Sequence, residues 1–189
     1  MTDPRIARTK GRLHAALREA CALAPLAEVS VSDVVRRARV ARTTFYLHYD
    51  DLNALAVDSC AEIVRQAVDT LHSRPDFPKD PPPEIAELFE AIRFNTRLYR
   101  SLIGPGGGGP LGQVLHSELA ERSRAERAAR FGPSPAHAVA AAAVAGAFTG
   151  LIGDWLHGRC PCTADELAAH TWRMLGALHL TAFPPGDSP

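Results

Sequence analysis

The sequence lacks the features by which most exported proteins are recognised. Its 189 residues contain only four cysteines, scattered at positions 21, 60, 160 and 162, and these are too few for a disulfide framework. No apolar segment follows the basic start, so we expect neither a secretory signal nor a membrane anchor. These absences predict a cytoplasmic protein that has no membrane partner.

Patterns typical of enzymes are absent as well. Serine, histidine and aspartate do not occur in the arrangement of a catalytic triad, and no nucleotide-binding fingerprint is present. The eight histidines share no neighbourhood in the sequence, and we interpret His116, His137 and His170 as ordinary helix residues. We therefore expect no enzymatic activity, no cofactor and no metal site.

The net charge is zero, with 21 basic and 21 acidic residues, but the charge is unevenly distributed. Residues 1–49 contain nine Arg or Lys against four acidic residues, which leaves twelve basic and seventeen acidic residues in the remainder. A basic head on an acidic body would steer the head toward DNA. The alternative interpretation is that the run Arg36, Arg37 and Arg39 is simply a solvated helix face.

The most informative stretch is residues 30–55, SVSDVVRRARVARTTFYLHYDDLNAL, which predicts two short helices joined by a tight turn. Ser30 and Asp33 form a capping box at the start of the first helix. In the second helix Phe45 and Tyr49 lie four residues apart and are predicted to point into a small core. The apolar stripe of the first helix consists of Val31, Val34, Val35 and Ala38.

The outward side of the second helix has the chemistry of a DNA-reading helix. Arg42 can bond a guanine edge, and Thr43 or Thr44 can contact a thymine methyl group or a phosphate. Tyr46 and His48 are better placed for contacts with the DNA backbone. The pair of helices therefore predicts a helix-turn-helix.

This stretch, with the helix before it, resembles the N-terminal domain of the TetR family of bacterial transcriptional repressors. The match covers about 25 residues and includes the turn at residues 38–40 and the polar and aromatic pattern at residues 41–49. The first helix of the family is matched by Leu13, Ala16, Leu17 and Ala20, after a basic arm of Arg5, Arg8, Lys10 and Arg12. Motif and resemblance together predict DNA contacts at Lys10, Ser30, Ser32, Arg42, Thr43, Thr44, Tyr46 and His48.

The resemblance implies an all-α protein with three parts. A three-helix DNA-binding domain (1–50) is followed by a connecting helix (51–72) and by a C-terminal helical regulatory and dimerisation domain (84–182). The implied function is a regulator, expected to be a repressor, that binds a palindromic operator in double-stranded DNA as a homodimer. Release by a small-molecule effector is a further hypothesis. The alternative is a TetR-like module for binding ligands or proteins that has lost sequence-specific DNA binding.

Three residues depart from the family pattern. Arg39 stands where the turn usually has glycine, so the turn must either avoid a positive φ or bear some strain. Ala41 replaces the usual Ser or Thr cap, which removes one hydrogen bond. Leu52 stands where many members carry a lysine that binds phosphate. We therefore expect weaker affinity for the DNA backbone.

The C-terminal part is predicted from helix breakers and apolar runs. Prolines in residues 73–83 end the connecting helix, and residues 104–109 are interpreted as a mobile glycine-rich connector, because no Lys-Ser/Thr follows to make a phosphate loop. Residues 138–153 carry no charge and predict a helix buried on most sides, with Gly146 and Gly150 allowing another helix to approach. Thr163 and Glu166 cap the last helix, and these two helices predict a four-helix dimer interface.

Two further features allow more than one interpretation. Phe94, Tyr99 and Trp155 are candidates for lining an effector pocket, although aromatic residues at helical spacing are more often core. Cys160 and Cys162 can sense metal or oxidant, but a full zinc site needs about four ligands. A loop that happens to contain two thiols is the simpler interpretation.

Overall fold

Helices form all the regular secondary structure in the part of the chain that the structure describes. The computed structural model describes residues 4–72 and 80–182. Short 3-10 turns occur at Leu26–Glu28 and Pro105–Gly107, and the all-α prediction is confirmed for these residues. The helices are α1 (Pro4–Leu23), α2 (Val31–Ala38), α3 (Arg42–Tyr46), α4 (Leu52–His72), α5 (Pro83–Phe94), α6 (Thr96–Leu102), α7 (Gly109–Phe131), α8 (Pro135–Leu156) and α9 (Ala164–Ala182).

The helices begin where the local sequence predicts. At the start of α2 the Ser30 hydroxyl accepts a hydrogen bond from the Asp33 amide at 3.1 Å and donates one to the Asp33 carboxylate at 2.6 Å. At α9 the Thr163 hydroxyl accepts from the Glu166 amide at 3.2 Å, and the Glu166 carboxylate accepts from the Thr163 amide at 2.8 Å. Both capping boxes are thus confirmed. Most of the proline-rich break at 73–83 lies outside the described residues.

Among the described residues, one apolar cluster extends through α4. We call residues 4–49 the head and residues 83–182 the body. Phe45, fully buried in the head, and Leu55, fully buried on α4, belong to the same cluster as Phe89 of the body. Helix α4 contacts α1 in the head and α5, α6 and α7 in the body. It therefore links the two parts by packing as well as by sequence.

Helix α8 is more exposed within the single chain than its composition predicts. Its buried positions include Ala141 and Ala145, and α7 is the helix with which it makes its most extensive contact. Val139 is 72% exposed, and Ala138, Ala142 and Ala143 are exposed as well. The expectation of burial on most sides is therefore wrong for one chain. Among the described helices α8 alone is long and apolar enough to span a membrane, a property that core helices of soluble proteins share.

The glycine-rich segment 104–109 is a tightly packed turn, so its interpretation as a mobile connector is wrong. The Gly106 amide donates to the Asp154 carboxylate at 2.8 Å. A Cβ on Gly153 would lie 2.4 Å from the Gly104 carbonyl oxygen, and one on Gly112 would lie 1.8 Å from that of Gly107. The closest approach to α8 within the chain is thus at Gly153, whereas a Cβ at Gly146 or Gly150 would make only ordinary contacts.

Candidate nucleic-acid interface

The turn between α2 and α3 is built around a left-handed Arg39. Its φ of 53° and ψ of 48° are those that glycine adopts readily, and Arg39 is the only non-glycine residue with a positive φ among those the structure describes. Such a conformation costs about 1 kcal/mol or more. The Arg12 guanidinium of α1 donates to the Arg39 carbonyl at 2.6 Å, and the Val40 amide donates to the Val35 carbonyl at 3.0 Å. These bonds hold the turn in place despite the missing glycine.

Helix α3 separates its side chains into an inner and an outer set, as predicted. Phe45 is fully buried and Tyr49, just beyond the helix, is 6% exposed. Arg42 and Thr43 are exposed, while Thr44 is half-buried. No side chain caps the helix at Ala41, as its methyl group requires. The first turn of α3 therefore presents polar side chains and uncapped amides to solvent.

The structure brings three of the predicted DNA-binding residues together on this surface. One Arg42 nitrogen donates to the Ser32 hydroxyl of α2 at 3.2 Å, and another donates to the Tyr46 hydroxyl at 3.3 Å. The guanidinium carbon also lies 5.7 Å from the centroid of the Tyr46 ring. Exposed hydrogen bonds of this length contribute little. Arg42 is therefore held across the α2–α3 surface by contacts that a base or phosphate can replace.

Lys10 and Ser30 differ from the expectation that they are available for DNA. The Lys10 ammonium lies 3.2 Å from the Asp58 carboxylate of α4 and 5.2 Å from the centroid of the Tyr49 ring. Ser30 uses its hydroxyl for the capping box. His48 is half-buried, with its ring 6.5 Å from that of Tyr49. Both Lys10 and Ser30 are engaged within the protein because each lies beside a carboxylate that attracts its donor.

Leu47 is a candidate contact residue that the sequence interpretation missed. It is 80% exposed and follows Tyr46, which is 49% exposed. Its exposure could have been predicted from the spacing. Leu47 lies two residues after the inward Phe45, a rotation of about 200° around a helix, which places it on the opposite side. An exposed leucine at the end of α3 suits contact with a thymine methyl group or with the sugar edge.

Behind the interface, the carboxylate of Asp58 on α4 is contacted by several hydrogen-bonding side chains of the head. Its Oδ2 accepts from the Tyr49 hydroxyl at 2.7 Å and lies 3.3 Å from His14 Nε2, which is itself 2.9 Å from that hydroxyl. The hydrogen bond with His14 and those from Tyr49, Arg65 and Lys10 hold the pKa of Asp58 well below its usual range. Burial and the bond to Asp58 raise the pKa of Tyr49. The carboxylate thus stays ionised and the phenol stays protonated near neutral pH.

The fold is similar to those of several solved transcriptional regulators. A TetR transcriptional regulator from Rhodococcus sp. RHA1 is 18% identical and superposes with a TM-score of 0.60 over 93% of this chain and 98% of its own. A TetR-family regulator from Syntrophomonas wolfei is 14% identical with a TM-score of 0.62, over 96% and 98% of the two chains. The fatty acid degradation regulator FadR from Bacillus halodurans is 16% identical with a TM-score of 0.52, over 87% and 96%.

The chain has the TetR-family fold. The similarity covers both head and body, so the fold expectation drawn from residues 30–55 extends to the whole described structure. No protein-family model matches the sequence, and no curated sequence matches it either. At this level of identity the likeness establishes the fold, and the roles of individual residues must be argued from the chain's own contacts.

The body of this TetR-like fold contains an apolar cavity of about 110 Å³. Phe94, Tyr99 and Trp155, the predicted lining residues, do not border it. Phe94 is 84% exposed, Tyr99 is fully buried and donates to the Cys60 carbonyl, and Trp155 donates to the Cys162 carbonyl. The prediction is wrong for this cavity because its lining comes from five helices. The residues are Val68, Ile85, Leu88, Leu119, Arg122, Ser123, Val144, Phe148 and Leu175.

The cysteines and histidines do not assemble a metal site in the described part of the chain. Cys160 and Cys162 are free, half-buried thiols in the turn before α9, where the Cys162 amide donates to the Cys160 carbonyl at 2.9 Å. Burial raises the pKa of the Cys162 thiol. His157, the nearest histidine in sequence, bonds the Ile103 carbonyl at 3.0 Å. A sensing role for the two thiols stays a hypothesis.

Proposed function

We propose that this chain is a TetR-family transcriptional regulator, acting as a repressor, that binds a palindromic operator as a homodimer in the cytoplasm. The observation that carries the proposal is the outward surface of α3, where Arg42, Ser32 and Tyr46 converge on the most basic part of the chain. An arginine held by exchangeable contacts can form two bonds to a guanine edge. A basic surface on an otherwise acidic protein favours DNA at the head.

The exposed apolar face of α8 supports dimerisation. Val139, together with Ala138, Ala142 and Ala143, leaves a strip of small apolar side chains uncovered in the single chain. Small residues allow helices to pack closely, and α9 lies beside α8 in the sequence and contacts it. Two copies joined through these helices would carry two recognition helices. A palindromic operator requires such an arrangement, with half-sites about 34 Å apart.

The cavity supports release by a small apolar effector. Its lining is apolar except for Arg122 and Ser123, and it lies against α4, the helix that also supports the head. The protein from Bacillus halodurans that shares the fold is a fatty acid degradation regulator. For this chain the effector class is therefore an apolar molecule that can present one hydrogen-bond acceptor to Arg122.

A TetR-like module without sequence-specific DNA binding is the second candidate. Three observations favour it: Ala41 leaves α3 uncapped, Leu52 packs against the core where many members have a phosphate-binding lysine, and Lys10 is paired with Asp58. The leucine at position 52 and the pairing of Lys10 reduce the number of phosphate contacts, and the missing cap at Ala41 removes one hydrogen bond that would stabilise α3. The two candidates differ in whether any DNA sequence is preferred.

Selection of bound sequences from a random duplex library, at low and moderate salt, tests the proposal directly. We expect a palindrome to be recovered, with affinity falling steeply as salt rises, because phosphate contacts release counterions. Binding without a preferred sequence, or no binding, would instead favour the second candidate and direct the search to ligands or proteins that bind the body.

Arg42→Ala tests the central residue. If the side chain reads a base, the substitution should weaken operator binding by about 1–3 kcal/mol and relax the preference at one position of each half-site. The matched control is Arg93→Ala, because Arg93 is also exposed but lies on α5 and pairs with Glu90. A loss that is equal on operator and random DNA would assign Arg42 to backbone binding, as we expect for Tyr46→Phe.

A further inference from the structure

Asp58 of α4 contacts polar groups from the head and one further polar group of α4 itself. Lys10 and His14 of α1 and Tyr49 of the segment before α4 contact its Oδ2, while Arg65 donates to its Oδ1 at 2.9 Å. The Asp58 side chain is only 23% exposed, and that of His14 is 8% exposed. Partly buried charge pairs are screened less by salt than surface pairs are. We call these five residues the Asp58 cluster.

Arg65 continues this cluster into the body. Its Nε and one terminal nitrogen donate to the two carboxylate oxygens of Glu118 on α7, each at 2.8 Å. The bonds to Glu118 raise the pKa of Arg65. A two-point arginine–carboxylate bond fixes the direction as well as the distance between its partners. Charged groups therefore connect α1, α4 and α7 without interruption, from Lys10 to Glu118.

A second ion pair joins α4 and α7 beside the first, and we call the contact between these two helices the α4–α7 seam. Asp69 of α4 pairs with Arg122 of α7, so the cation and the anion have changed sides relative to Arg65 and Glu118. On each helix the residue of the second pair lies four positions after that of the first, which is about one helical turn. The alternating polarity opposes sliding by one turn, because a slide in one direction would bring Arg65 opposite Arg122 and a slide in the other would bring Asp69 opposite Glu118.

This seam also borders the cavity. Val68 lies on α4 between Arg65 and Asp69, and Leu119 follows Glu118 on α7, and both line the cavity together with Arg122. Apolar packing alone would allow α4 to shift against α7, because it is not directional. The ion pairs fix the position of α4 relative to α7. Because residues of both helices line the cavity, a shift between α4 and α7 would change the shape of the cavity.

We propose that the ion-pair connection Asp58–Arg65–Glu118 fixes the angle of the head relative to the body. By fixing this angle in each subunit, the connection also sets the half-site spacing to which the dimer binds. The claim about half-site spacing rests on the proposed DNA-binding function, whereas the claim about the head angle does not. Glu118 and Arg65 are positioning residues, since they act through Asp58 on α1 and Tyr49 and do not lie on the α3 surface.

The head angle is measured first, without DNA. Spin labels on Glu19→Cys in α1 and Glu87→Cys in α5, both exposed positions, report the head–body distance in a Cys160→Ser, Cys162→Ser background diluted with unlabelled protein. We expect one narrow distance distribution in the parent and a broadened or shifted one after Glu118→Ala. Glu90→Ala is the control, because Glu90 pairs with Arg93 on the same helix. An unchanged distribution after Glu118→Ala would overturn the proposal.

Operator spacing is measured second, on duplexes whose half-sites are moved together or apart by one or two base pairs. The wild type should prefer one spacing, and Glu118→Ala should reduce that preference by about threefold or more while the half-site sequence stays the same. Arg65→Lys, which keeps the charge but loses the two-point bond, should give an intermediate loss. Equal weakening at all spacings, or no change, would overturn the role in spacing.

The two measurements separate the possible failures. If the wild type binds no DNA, the proposed function fails. The distance distribution alone then decides whether the ion-pair connection fixes the position of the head. Thermal melting of Glu118→Ala and Glu90→Ala checks that both fold. Loss of folding in Glu118→Ala alone would move the test to Arg65→Lys, for which an unchanged distance distribution would again overturn the proposal.

Discussion

The head and the body achieve close packing by different means. In the head, the Ser30 capping box sets the start of α2, and the inward pair Phe45 and Tyr49 orients α3 and the segment after it, so a few residues determine the geometry. In the body, the turn at residues 104–109 approaches the α8 backbone so closely that side chains at Gly107 and Gly153 would overlap with main-chain atoms, and a side chain at Gly112 of α7 would overlap with the turn itself. Local sequence signals act in both parts, as the Thr163 capping box of α9 shows, but only the body adds close backbone contact between its glycine-rich turn and two helices.

The largest effect should come from the centre of the head. Phe45→Ala removes a fully buried ring and should lower the free energy of unfolding by about 3–5 kcal/mol. The same substitution at Phe94, which is 84% exposed, should change stability by less than about 0.5 kcal/mol. Urea unfolding followed by circular dichroism measures both. Similar losses at the two sites would contradict the assignment of Phe45 as the anchor of the head.

A smaller effect should distinguish glycines of the body from those of the head. Gly112→Ala places a Cβ 1.8 Å from the Gly107 carbonyl oxygen and should cost about 1–3 kcal/mol. Gly11→Ala on α1 meets nothing within 4 Å and should stabilise the protein by up to about 1 kcal/mol through helix propensity. Thermal melting of both variants tests the difference. Neutral behaviour of Gly112→Ala would mean that the 104–109 turn moves aside easily.

The smallest effect lies at the junction and depends on pH. Because the folded-state pKa of Asp58 is lowered, its charge stabilises the fold fully above the unfolded pKa of about 4, and this contribution is lost as the pH falls further. Asp58→Asn should therefore cost about 1 kcal/mol near pH 7, and the difference from wild type should shrink below about pH 4. Denaturation at several pH values measures it, with the exposed Asp50→Asn as control. A difference that stays constant down to about pH 2.5 would exclude this role.

The elements that sequence predicted well share a physical basis. The capping boxes at Ser30 and Thr163, the inward Phe45 and Tyr49, and the breaks at Pro83 and Gly109 all depend on neighbours within about one helical turn. Interactions of this range are determined by residue type and spacing alone. The neighbouring positions of Arg42 and Tyr46 on one helix were predictable for the same reason, whereas Ser32 reaches Arg42 from α2, ten residues earlier. The DNA contacts themselves stay predictions.

The failures have a common cause in contacts between distant residues. The cavity lining combines five helices, so the aromatic residues Phe94, Tyr99 and Trp155 were poor guides to it. The pairing of Lys10 with Asp58 was not anticipated, because the two residues lie 48 positions apart in the sequence. The contact of Lys10 with DNA stays a prediction. The glycine-rich turn was interpreted as mobile because its sequence does not reveal the α8 backbone against which it packs.

The sequence by itself determined the helix-turn-helix, its outward polar surface, the positions of the helix ends and the basic character of the head, because these depend on short-range geometry and composition. The tertiary structure decided which charged groups are engaged internally, where the cavity lies and how α4 connects the head to α7. Those features depend on how helices pack across long sequence separations. The Asp58–Arg65–Glu118 connection exists only once α1, α4 and α7 have come together.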